Sequence, residues 1–60
     1  MAKEVKQVTL TENAFNKHLV FCTKYFDDGS HIEFTLSKRG ALKWAKNYQE
    51  EGVRVMLYFS

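Results

Sequence analysis

The sequence predicts an α+β fold, a single small domain in the order β-β-β-α-β, with an antiparallel meander and one helix packed on one face of the sheet. Three observations carry this. The turn Asp27-Asp28-Gly29-Ser30 separates two alternating apolar stretches, and Asp-Gly between such stretches is a strong hairpin signal. Ala41, Trp44, Ala45 and Tyr48 recur at helical spacing between a capping serine and Gly52. Beyond that glycine, Val53, Val55, Leu57 and Phe59 alternate with Arg54, Met56 and Tyr58, which is the period of a strand.

The 60 residues form one domain, residues 1–60, and a chain this short buries only about 60% of the surface its unfolded state exposes. A hydrophobic share of 45% and an aromatic share of 15% belong to a globular domain, with the aromatics supplying much of the core. The formal charge of +2 is mildly basic, short of the dense Lys/Arg field of a dedicated nucleic-acid binder. Cys22 is the single cysteine, so one chain can form neither an internal disulfide nor a zinc cluster, and a lone thiol suits a reducing compartment. The N-terminal residues lack the apolar run of a signal peptide, and no stretch reaches transmembrane length. The expectation is a soluble, cytoplasmic protein.

Residues 1–4 read as a frayed lead-in. From Val5 to Thr11 the alternation is imperfect, Val8 and Leu10 sharing a face while Val5 is out of phase, as a weak start or a bulge would produce. Glu12, Asn13 and Asn16 mark a connection, in which Phe15 is expected to plug one end of the core. Lys17–Phe26 is the strongest strand. Leu19, Phe21, Thr23 and Tyr25 lie on one of its faces, and His18, Val20, Cys22, Lys24 and Phe26 on the other. Both faces are apolar, so which of them meets the helix stays open. His31–Leu36 alternates cleanly, with Ile32, Phe34 and Leu36 inward. Ser37 is the natural N-cap of a helix running to about Glu51, and Gly52 the residue that stops it. The expected strand order sets the last strand beside the first, with the hairpin outside.

One helix covers one face of the sheet and leaves the other open. That face should carry Arg54, Met56, Tyr58 and one set of aromatics from the Lys17–Phe26 strand, Phe21 with Tyr25 or Phe26 with Val20. Aromatics beside a guanidinium make a docking surface for a protein or for single-stranded nucleic acid. A homodimer through this face, or an oligomer formed by edge pairing of the first or last strand, is the alternative. At the helix N-terminus Lys38 and Arg39 oppose the helix dipole, as do Glu50 and Glu51 at its C-terminus. With Ser37 and the N–H of Gly40 they could receive a phosphate or a partner's carboxylate. The partner-binding residues expected from the sequence are therefore Tyr25, Lys38, Arg39, Arg54, Met56 and Tyr58.

Catalytic signatures are missing. His18 and His31 begin successive strands of a hairpin, which places them at opposite ends, too far apart for joint acid–base work. Asp27, Asp28 and Glu33 are better explained by the turn than by a metal. Cys22 has no base nearby in sequence and reads as a small buried hydrophobe. No catalytic residue, metal ligand or cofactor is expected.

The layout HLVFCTKYF–DDGS–HIEFTLS–KRGALKWAKNYQEEG–VRVMLYF, His18 to Phe59, resembles small phage-encoded host-takeover proteins, in particular the phage inhibitor of bacterial RNA polymerase. Hairpin, helix and closing strand follow in the same order. That inhibitor family binds through an acidic surface whereas this chain is net basic, so no site residue is carried across. The resemblance implies a small protein, phage- or mobile-element-encoded, that occupies a site on a host protein complex such as a polymerase, a nuclease or defence enzyme, or a toxin. The alternative is a nucleic-acid-binding module using the open sheet face.

Overall fold

The computed structural model describes residues 4–59. Its elements are β1 (Val5–Glu12), β2 (Leu19–Phe26), β3 (His31–Ser37), α1 (Lys38–Glu50) and β4 (Arg54–Tyr58), in the expected β-β-β-α-β order. They build a four-stranded sheet of order β3-β2-β1-β4 with the helix on one face. β1, β2 and β3 form the antiparallel meander, while β4 runs parallel to β1, so the sheet as a whole is mixed. β1 lies inside the sheet, paired on both sides, and therefore cannot offer an edge for self-assembly; the edges are β3 and β4. The expected lead-in at residues 1–3 lies outside the described residues, and the Glu4 carbonyl accepts from the Asp27 N–H at 3.0 Å.

The irregular start of β1 is a bulge. Val5 pairs with Phe26 and Gln7 with Tyr25, so two steps on β1 face one on β2 and Lys6 is the additional residue. The bulge restores Val5 to the side of the sheet that Val8 and Leu10 occupy. Asp28 closes the β2–β3 turn by accepting from the N–H and the hydroxyl of Ser30 at 2.9 and 2.6 Å. Gly29 supplies the positive φ, +90°, that the turn requires.

The core sits between the sheet and α1. Leu10, Val20, Cys22, Ala41 and Ala45 are buried together, with Phe34, Leu36, Trp44 and Val55 packed around them, and Val8 is buried beside them in β1. Of the two faces of β2, the one with Val20 and Cys22 meets the helix. Ala41 and Ala45 present almost no side-chain depth, which lets the helix backbone approach the sheet closely. Trp44 fills the space beside them, edge-on to Phe34 at 5.1 Å and to Tyr48 at 5.2 Å between ring centroids. Burial pushes the Cys22 thiol above its ordinary pKa, against a smaller opposing effect from its hydrogen bond to the Leu36 backbone. Cys22 is thus a buried small hydrophobe, as its sequence context suggests.

Both helix ends use the expected residues. The Ser37 hydroxyl accepts from the Gly40 N–H at 3.2 Å. At the other end the Gly52 N–H donates to Gln49 at 3.1 Å and the Val53 N–H to Tyr48 at 3.0 Å, the paired bonds of a Schellman stop. Gly52 holds φ at +85° with open space where a Cβ would stand, so a substitution there meets backbone strain and no clash. Gly52→Ala should therefore destabilise the fold by about 1–2 kcal/mol, and Gly52→Asn by less, measured by urea unfolding.

Candidate partner-binding surface

Directly paired residues share a face, so the register defines the side of the sheet away from α1 as three rows. The first is Arg54–Gln7–Tyr25–His31, the second Met56–Thr9–Thr23–Glu33, the third Tyr58–Thr11–Phe21–Thr35. Arg54, Met56, Tyr58 and Tyr25 thus lie on one continuous surface. The aromatic set is Phe21 with Tyr25, the alternative with Phe26 and Val20 being turned to the helix side. Tyr58 is 54% exposed, Phe21 49% and Tyr25 39%, large rings left substantially open to solvent on this face. Thr9, Thr11, Phe21, Thr23, Tyr25, Glu33 and Thr35 line an open depression across the middle of this face. Among the described residues of these three rows only Arg54 and Glu33 carry a formal charge, one of each sign.

Lys38 and Arg39 belong to a second cluster. They flank a shallow apolar dip with His18, Ser37 and Leu42 at the helix N-terminus. The Lys38 ammonium stands 5.8 Å from the Phe59 ring centroid. Two backbone donors of that helix end are already used inside the chain: the Lys38 N–H reaches the His18 carbonyl at 2.8 Å, and the Gly40 N–H is held by Ser37. The Gly40 N–H expected to receive an anion is therefore committed to the cap, leaving the side chains of Lys38 and Arg39 as the cationic part. The first turn of α1 holds no acidic residue and the last no basic one.

Phe15 departs from expectation. It does not plug the core; it is wholly exposed. The reason is local. The Asn13 carboxamide oxygen accepts from the N–H groups of Phe15 and Asn16 at 2.8 and 3.2 Å, and that of Asn16 accepts from His18 at 2.9 Å. These side-chain turns hold the β1–β2 loop in its own compact shape and aim Phe15 at solvent. The same loop borders the open face, where Glu12, Asn13, Ala14 and Lys17 share a depression with Tyr58. Phe15, Tyr58 and Phe21 therefore lie toward one end of the molecule. The signal was the Asn13–Asn16 spacing, which builds a turn with Phe15 near its apex.

Candidate chemistry finds little support in the geometry. His18 precedes the Leu19–Ser37 rung at one end of the hairpin, while His31 pairs with Tyr25 at the other. The His31 ring lies 5.8 Å from that of Tyr25, tilted 38° to it, and its Nε2 sits 3.6 Å from a Glu33 carboxylate oxygen. Among the described residues no three His, Cys, Asp or Glu side chains converge as a metal would need. No described helix is long and apolar enough to cross a membrane.

Comparisons with protein-family models, with curated proteins and with solved structures return no significant match.

Two arginine or lysine side chains at a positive helix end carry a cost that one substitution should reveal. Arg39→Glu should raise stability by about 0.3–1 kcal/mol in low salt, with the gain shrinking near 1 M salt, as read from thermal unfolding.

Proposed function

We propose that this chain is a small non-enzymatic binding protein that inhibits or modulates a larger host protein complex by occupying a site on it. The observation that carries the reading is the uncovered sheet face, aromatic and electrically balanced. A rigid sheet presents Tyr25, Arg54, Met56 and Tyr58 without ordering cost, and these are the residue types that dominate interface energies. Phe15, held out by its asparagine turns, adds an anchor at the Tyr58 end. Lys38 and Arg39, beside that end, steer the protein toward an acidic rim on its target. No chemistry of its own is required: the protein works by exclusion, in the cytoplasm of a host cell, as expected of a phage or mobile-element product of this layout.

Single-stranded nucleic acid is the competing occupant, since Tyr25, Phe21 and Tyr58 could stack bases beside Arg54. The charge distribution favours protein. A nucleic-acid face concentrates cations where the bases stack, and here Lys24 lies on the helix side and Lys38, Lys43 and Lys46 on α1, while Lys17 stands only at the border of the open face, in the loop beside Tyr58.

A tagged pull-down from nuclease-treated bacterial lysate, washed at high salt, tests the reading. The expected outcome is one defined protein that is retained by the wild-type chain and lost with Tyr58→Ala or Phe15→Ala, each weakening binding by about tenfold or more. Retention that disappears with nuclease or salt, or that ignores both substitutions, counts against it.

A further inference from the structure

We propose that the chain associates with a second copy of itself through the free edge of β4, two β4 strands pairing antiparallel about a two-fold axis to make one continuous eight-stranded sheet. β4 is paired to β1 on one side only, so its outer edge offers a row of backbone donors and acceptors. Protein edges are normally blunted by mid-strand charge, proline or a bulge. β4 has none of these: its only charge is the first residue, Arg54, and its register with β1 is unbroken. The opposite edge, β3, carries Glu33 in its middle and the Glu33–His31 contact at 3.6 Å.

The side chains of β4 complement themselves. Centring the pairing on Met56 sets Met56 against its own copy, Arg54 against Tyr58 and Val55 against Leu57. The single cation then meets an aromatic ring, and no like charges face each other. Leu57, which lies on the helix side of the sheet yet is 52% exposed, gains Val55 of the second copy as cover. The helices do not collide. With strands about 4.8 Å apart, two helices centred on their own four-stranded sheets stand about 19 Å apart, nearly twice a helix diameter. Both open faces end on the same side, so the dimer doubles the binding surface proposed above and leaves it uncovered. The inference goes beyond that function and stands or falls separately from it.

Sedimentation equilibrium on the purified full chain, from about 10 µM to about 1 mM, is the test, because a five-rung contact lies at the small end of specific interfaces. The expected result is a concentration-dependent rise from the 7.0 kDa monomer toward twice that mass. Met56→Lys and Met56→Glu, at a position on the sheet face away from the core, should each weaken association by about tenfold or more through like charges at the axis. An equimolar mixture of the two should restore a heterodimer, which also shows that both variants are folded. Thr23→Lys, central on the open face, should leave the dimer intact. A chain that remains monomeric at about 1 mM overturns the proposal. So does a dimer that ignores Met56, or one that Thr23→Lys dissociates, since that dimer would be built face to face.

Discussion

The contact of Ala41 and Ala45 with the sheet is the constraint on which the rest of the structure depends. Among the described residues a 13-residue helix is the only cover available to four strands. It can seal Leu10, Val20 and Cys22 from water only if its backbone comes close, and methyl side chains at the contact allow that. Larger residues at 41 or 45 would lift the helix and open the core to solvent, because cores this small have no second layer to compensate. The larger rings are placed where they help, Trp44 and Tyr48 flanking the alanines and Phe34 meeting Trp44 edge-on.

The same economy leaves the far side of the sheet without cover. Threonines occupy its centre, consistent with their preference for a pleated, half-exposed surface. Phe21, Tyr25 and Tyr58 do not have that excuse; their rings are largely exposed, with half-buried Met56 among them, and exposed rings add little to a fold. Their presence on the face the helix cannot reach is the physical ground for the proposal that this face receives a partner. The end loop extends the surface past the strands, because Asn13 and Asn16 satisfy the loop's backbone locally and free Phe15 from any packing duty.

Much of this was legible from periodicity. Ala41, Trp44, Ala45 and Tyr48 mark the helix, Ser37 and Gly52 its ends, and the alternations of His31–Leu36 and Val53–Phe59 fix which residues face it. Strand order followed from the short hairpin and the single crossover. The face of β2 was not legible, since Leu19 and Phe21 are as apolar as Val20 and Cys22. Depth decides it: the small Val20 and Cys22 fit beneath the alanines, where Phe21 and Tyr25 would hold the helix away. Phe15 was misread because hydrophobicity alone suggests burial, while its asparagine neighbours dictate a turn. Lys38 and Arg39 were correctly placed on the helix end, but only the register shows that they stand apart from Tyr25 and Arg54.

The central claim is that one face of the sheet makes the fold and the other is free to bind. Urea unfolding of three variants tests it most directly: Tyr25→Thr, Tyr58→Thr and Leu10→Ala. The two open-face substitutions should each cost no more than about 1 kcal/mol, and together less than Leu10→Ala, which should cost about 2–5 kcal/mol. Open-face substitutions as damaging as Leu10→Ala would mean that those rings belong to the core and that no face of the sheet is free.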